Sequence, residues 1–412
     1  MIVVFLGGMV WLFFGSSPRV ELTAGEDSKA YLDAFSPDYE TARAKFREAA
    51  SLAGATTEIY PIEAKGAKGE VLTIDVARVG SGSPEWTVVV SSGIHGVEGP
   101  FGSAVQVAWL RAFAEQGSAL RDGAMVLIHA LNPYGFSWSR RGDENNIDLN
   151  RNYRRDGLPY QTNVVYTALD GFLNPPSPPS PYEPFKLKAL WYIMTYGGTD
   201  ALTPAIAVGQ YDFPKGLFYG GKEPAQSTRL VQANFARWSG NAPHIVHLDL
   251  HTGLGEYGRY KALVLPREDT PEFEWYRHHF GGPTESMHKE KDATAYPATG
   301  VLIDWLAHRT KSTEYRGVVA EFGTYSPIAV LGALRAENRA HFYSTPDKTA
   351  YQKAKLRLRD YFRPRDPDWR RQVVHDALHM IQTAVSAARA MTAESGKTGI
   401  NELKQTESAD TR

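Results

Sequence analysis

Apolar positions along this chain follow two rhythms. Short continuous or alternating runs closed by glycine read as strands, and longer stretches with apolar side chains every three or four residues read as helices. The run Trp86-Thr87-Val88-Val89-Val90 passes through Ser91-Ser92 into Gly93-Ile94-His95-Gly96-Val97-Glu98-Gly99. Such a run suits a strand covered on both faces, and the glycines after it suit a turn. Residues 71–79 alternate and read as a strand ending at Gly80-Ser81-Gly82-Ser83-Pro84; residues 124–130, 245–250 and 315–320 read as further strands. Helical patterns cover 38–50, 103–116, 185–196, 225–239, 301–308, 327–342, 348–361 and 369–391. The strand, helix, strand order across 86–130 predicts a βαβ crossover, hence an α/β fold with a largely parallel sheet.

The connections add to this picture. Residues 132–153 form a long stretch without periodicity, rich in arginine and asparagine, and loops of that length are usually functional or disordered. The proline-rich residues 174–184 read as an exposed connector or a flap, and 208–221 as a loop or hairpin with aromatic tips that could line a pocket. Residues 1–15 are apolar, too short to span a bilayer and without a Lys/Arg start, so 1–29 is taken as an atypical export signal or an extension outside the fold. A single catalytic domain is expected over 30–391, followed by a polar, disordered tail over 392–412.

Composition narrows the classes. With 412 residues, 42% apolar and 22% charged, the chain is that of a soluble globular protein. A net charge of −1, spread along the chain, leaves no footprint for nucleic acid or an anionic membrane, and no stable membrane insertion is expected. A cytoplasmic location is the default expectation. The absence of cysteine excludes a thiolate nucleophile and a Cys-ligated metal.

Candidate chemistry gathers at strand ends, where α/β sheets place their sites. His95 and Glu98 follow the first strand, and imidazole nitrogen with carboxylate oxygen is a set that suits zinc, which in catalytic sites takes three protein ligands. His251, in Asp249-Leu250-His251-Thr252-Gly253-Leu254-Gly255, repeats the construction and is the third ligand expected. Glu321 leaves an apolar strand into Glu321-Phe322-Gly323-Thr324; a carboxyl there needs partners or work to do, and it is the candidate base.

Together with Asp148-Leu149-Asn150-Arg151-Asn152 and Ala320-Glu321-Phe322-Gly323-Thr324, these motifs resemble the zinc carboxypeptidase superfamily, which includes the succinylglutamate desuccinylase and aspartoacylase branch. Their wording is closest to a little-characterised bacterial branch, and the resemblance spans about residues 30 to 390. It implies a mixed, largely parallel sheet with helices on both faces. It also implies that His95, Glu98 and His251 bind Zn2+, that Glu321 is general base and then acid, and that Asn150 and Arg151 grip a substrate carboxylate. Asp148 would orient His95 through its other ring nitrogen, and one of Arg140 and Arg141 would stabilise the oxyanion. Carboxypeptidases of the superfamily carry a mobile tyrosine before the catalytic glutamate; Tyr296 is only loosely placed for it, which leaves room for a deacylase.

Other histidines carry less. His375-Asp376-Ala377-Leu378-His379 resembles a zinc-protease helix, but Val373, Ala377, Met380, Ile381, Ala384 and Ala388 define the apolar face and both histidines point away from it. His278, His279 and His288 lack a partner motif, and no Gly-x-Ser-x-Gly elbow occurs. The expected function is a zinc metallohydrolase, carboxypeptidase or deacylase, acting on a small peptide or N-acyl amino acid next to a free carboxylate. The rival is a catalytically inactive carboxylate-binding protein on the same fold.

Overall fold

The computed structural model describes residues 28–409, apart from 117–119, 156–161, 199–201, 203–205, 289–298 and 310–312. Helices α1 (Ser28–Ala34) and α2 (Tyr39–Leu52) precede strands β1 (Thr56–Lys65), β2 (Val71–Gly80) and β3 (Trp86–Ser92). The Asp38 carboxylate caps α2 by accepting the Thr41 N–H at 3.0 Å. Next come α3 (Gly99–Gln116), β4 (Gly123–His129), α4 (Pro133–Trp138), α5 (Val164–Leu173), α6 (Phe185–Thr195) and α7 (Gln226–Trp238). The second half supplies β5 (His244–Gly253), β6 (Tyr260–Val264), α8 (Pro271–Phe280), β7 (Thr284–Ser286), α9 (Leu302–Arg309) and β8 (Glu314–Gly323), then α10 (Pro327–Tyr343), α11 (Thr349–Phe362) and α12 (Pro367–Ala409).

The eight strands form one sheet in the order β1-β2-β4-β3-β5-β8-β6-β7. Its centre, β4, β3, β5 and β8, is parallel, with β2 antiparallel to β4 on one side and β6 antiparallel to β8 on the other. The expected βαβ unit is present as β3, α3 and β4. Side-chain alternation divides the core. Val88, Val90, Met125, Leu127, Val246 and Leu248 pack with α1, α2, α3, α8 and α12, while Val89, Val126, Ile128 and Ile245 face α7 and α9. A third apolar cluster joins α5, α6, α10 and α11 above the site end of the sheet.

Helix α12 runs through Ala409. Alanine, glutamate, lysine and glutamine after Thr392 are good helix formers, and the helix is already nucleated by its buried first half.

Candidate metal centre

The carboxyl ends of β3, β5 and β8 carry the candidate residues. After β3, Gly93 turns the chain with φ at +65°, and a short 3-10 turn, Gly96–Glu98, leads into α3. Gly96 is dictated by close approach, because a Cβ there would stand 2.1 Å from the carbonyl carbon of Gly135. That contact lays α4 and the residues after it on the turn, where Gly96 and Val97 N–H groups donate to the carbonyls of Arg141 (3.3 Å) and Arg140 (2.8 Å). Gly96→Ala is expected to cost about 1–3 kcal/mol by forcing two backbones apart. A chemical-denaturation midpoint equal to that of the wild type would show that the loop yields freely.

Along β5, buried throughout, the alternation of the strand puts His247, Asp249 and His251 on one face. The parallel register then sets His251 directly opposite Glu321 on β8. Three side chains converge here. Glu98 Oε1 lies 2.9 Å from His95 Nδ1, and Glu98 Oε2 lies 3.1 Å from His251 Nδ1 and accepts the Thr252 N–H at 3.1 Å. All three residues are buried, and their ligating atoms fall within 4.8 Å of one another.

The far side of each ring shows what the near side is for. His95 Nε2 meets Asp148 Oδ1 at 3.1 Å, and His251 Nε2 meets Asp249 Oδ2 at 2.7 Å. An ionised carboxylate only accepts, so each Nε2 carries the hydrogen and each neutral ring turns the lone pair of Nδ1 toward Glu98. Lone pairs aimed at a carboxylate repel it unless a cation lies between them. Without a metal, a proton answers that demand. Burial opposes charge on His251, but Asp249 and then Glu98 hold its ring well above the ordinary imidazole range. Burial likewise pushes the Glu98 carboxyl up, and His95 and His251 outweigh it and bring it to about 2. Tetrahedral zinc, with ligands at about 2.0–2.1 Å, sets them roughly 3.3 Å apart. The contacts to Glu98, 2.9 Å at one oxygen and 3.1 Å at the other, are little shorter, and no two of the three ligating atoms are more than 4.8 Å apart. This donor set therefore fits zinc, with both imidazoles oriented by carboxylates as metal-binding histidines usually are.

Asp249, hidden in sequence between Leu248 and Leu250, is itself held from behind. Ser91 Oγ–H donates to Asp249 Oδ1 at 2.5 Å, His247 Nε2–H to Ser91 Oγ at 2.8 Å, and the Tyr315 hydroxyl to His247 Nδ1 at 2.7 Å. Burial keeps His247 neutral, its pKa lowered to about 4, so every link has one donor and one acceptor. Asp249→Asn is expected to weaken metal binding about 10–100-fold, measured by chelator competition. Undiminished affinity would remove the orienting role of Asp249.

Asp148 accepts from Arg141 Nε at 2.8 Å and from the Asn150 N–H at 3.0 Å. Burial raises its carboxyl, but Arg141, His95 and Arg151 together hold it well below the usual range. Of the two adjacent arginines, Arg141 reaches the cluster, 3.8 Å from Glu98 Oε1 and stacked over Phe218 at 5.0 Å. Arg140 turns the other way, to Glu337 (3.0 Å), Asn146 (2.9 Å) and Asn338 (3.1 Å). Asn150 and Arg151, expected at a substrate carboxylate, are engaged by backbone in this conformation. Asn150 Oδ1 accepts the Leu302 N–H at 3.0 Å, while Arg151 donates to the carbonyls of Ala207 (3.0 and 2.5 Å) and Asn150 (2.6 Å). Glu321 accepts the Leu254 N–H at 2.8 Å. Burial pushes its carboxyl up to about 7 against the pull of His251, with Glu98 adding to the rise.

A model of the family described as "Protein of unknown function (DUF2817)" matches residues 35–376. The chain belongs to the DUF2817 family. No curated protein matches this DUF2817 chain. Its fold is similar to carboxypeptidase A from Helicoverpa armigera, at 12% identity and TM-score 0.43, covering 87% of this chain and 81% of that one. A metallo-carboxypeptidase from Pseudomonas aeruginosa is similar at 14% identity and TM-score 0.37, covering 82% and 68% of the two chains. An aspartoacylase family protein from Mesorhizobium loti is similar at 14% identity and TM-score 0.34, covering 71% and 68%. These are distant likenesses, and the chemistry rests on the residues of this chain.

Elsewhere in the DUF2817 chain, residues 208–221 reach the cluster at Phe218 and Tyr219. The Asp148 N–H donates to the Tyr219 carbonyl at 2.7 Å, and Phe218, at φ +55°, lies under Arg141. The proline-rich segment is tied down: Arg339 donates to the carbonyls of Ser177 (2.9 Å) and Pro178 (2.7 Å), and Glu183 accepts from Arg335 at 2.7 and 2.9 Å. His278, His288 and His379 are exposed and His375 half-exposed, and none is among the residues that converge at the triad. Tyr296 lies outside the described residues. Among the described residues no helix is long and apolar enough to cross a membrane.

Proposed function

We propose that this DUF2817 protein is a zinc-dependent hydrolase that cleaves an amide bond next to a free carboxylate, as a carboxypeptidase or an N-acyl amino acid deacylase. One observation carries the reading: two imidazoles, each held by its own carboxylate, turn Nδ1 toward Glu98 beside Glu321, a carboxyl pushed up to about 7. A protein that only binds carboxylates has no need of a base so poised.

When bound, zinc supplies Lewis acidity that makes water nucleophilic near neutral pH. His95, Glu98 and His251 hold it. Glu321 takes the proton of the attacking water through its carboxylate and returns it to the leaving amine. Arg141 donates to the carbonyl oxygen as negative charge develops on it. Asn150 and Arg151 receive the substrate carboxylate, with Arg151 exchanging the neutral Ala207 carbonyl for a charged acceptor, since charge-assisted hydrogen bonds are roughly twice as strong.

The test is a panel of N-acyl amino acids and blocked dipeptides, each as free acid and as C-terminal amide, with amine release as readout. Free acids cleaved at least tenfold faster than amides support the reading. Equal rates on both forms would remove the carboxylate from it, and release from N-acyl amino acids alone would assign the deacylase.

A further inference from the structure

Beside the Glu98 turn, away from the triad, lies a second concavity. It has a volume of about 50 Å³ and is bounded by Pro37, Val97, Pro100, Ser139, Arg359 and Arg363, with Asp38, Phe136 and Ser137 completing the wall. A water needs about 10–15 Å³ of such space, so the concavity has room for several waters or one small polyatomic ion and not for a nucleotide.

The charges around it are unbalanced. Arg359 lies in the last turn of α11 and Arg363 is the residue that follows its end; both line the concavity. Arg359 donates to the Pro37 carbonyl at 2.8 Å and Arg363 to the Ser36 carbonyl at 2.7 Å. Among the described residues neither arginine forms an ion pair, and the buried Nε of Arg363 has no hydrogen-bond partner. Burial, and then Arg359, Arg370 and Arg365, press the Arg363 guanidinium down to about 10, against the weaker pull of Asp360. The one carboxylate in the wall, Asp38, attracts Arg359 but shares its charge with Lys68, 2.7 Å away. Two half-buried guanidiniums around a small space, only partly offset by Asp38 and Asp360, leave a demand for further negative charge. The first turn of α3, entered at Pro100, adds the partial positive charge of a helix start.

We propose that Arg359 and Arg363 form a binding site for a small oxyanion, a phosphate or a carboxylate group, set between α11 and the start of α3. The anion would brace both sides of the metal centre. Val97 and Pro100 flank Glu98 in the chain, and α11 ends at Phe362, whose carbonyl accepts the Thr252 hydroxyl next to His251 at 2.7 Å. None of the lining side chains belongs to the triad, so this site stands or falls independently of the hydrolase reading.

The test is calorimetric titration of the full chain with inorganic phosphate and, separately, with acetate, each at constant ionic strength held with chloride. Saturable binding of either anion near one per chain is expected, weakened at least tenfold in Arg359→Gln and in Arg363→Gln. Arg363→Lys, which keeps charge and fold but not the planar fork, should fall between. Which anion saturates distinguishes phosphate from carboxylate. Binding that does not saturate with either anion, or that survives unchanged in all three folded variants, overturns the proposal.

Discussion

Glu321→Gln is expected to retain its metal and lose turnover by roughly 10²- to 10⁴-fold, the range for removing a general base. Glutamine keeps the shape of the side chain and can still accept the Leu254 N–H, so the loss is one of proton transfer and not of folding. The loss should appear in kcat as well as in kcat/KM, because the base acts in the transition state and adds little to ground-state binding. Proton linkage gives a second signature. Glu321 must be ionised to act, and burial raises its carboxyl to about 7 in the metal-free chain, with bound zinc drawing it lower. The rate of the wild type should therefore fall tenfold per pH unit on the acid side of a midpoint at or below about 7, and that limb should be absent from the residual rate of the variant. A Glu321→Gln protein with an undiminished rate would end the assignment.

His251→Ala is expected to abolish the response of stability to zinc. In the wild type, zinc at 100 times its dissociation constant should stabilise the native state by about 2.7 kcal/mol through linkage alone. The variant keeps one imidazole and one carboxylate, too few for a catalytic zinc site. It also leaves Asp249 buried without its strongest partner, so its melting temperature should fall even without metal. The two effects separate by experiment: the intrinsic loss appears in chelator, and the lost response appears only on adding zinc. A variant stabilised by zinc as fully as the wild type would place the metal elsewhere.

What could be read from the residues alone follows burial. β3 and β5 announce themselves because every position is buried, which leaves continuous apolar runs closed by glycine. β1 gives no such signal: it is the sheet edge, largely exposed, with Pro61 inside it. β6 and β7 are five and three residues long, too short for alternation to stand out. The triad was legible because each ligand sits at a strand end, but its orienting partner Asp249 was obscured by Leu248 and Leu250 on the other face. The alternation His247, Asp249, His251 in a buried strand was the signal available. Arg140 and Arg141 are neighbours in sequence, and only the fold separates them, with Arg141 at Asp148 and Arg140 at Glu337. The engagement of Arg151 by Ala207 joins residues 56 positions apart, beyond any local pattern.

The proposed chemistry needs a metal held by His95, Glu98 and His251. The most direct test is elemental analysis of the purified protein after equilibration with zinc and removal of excess, beside His95→Ala treated in the same way. About one zinc per chain in the wild type, and close to none in the variant, is the predicted result for a three-ligand site. No retained metal in a folded wild-type protein, or equal retention in both, would contradict it.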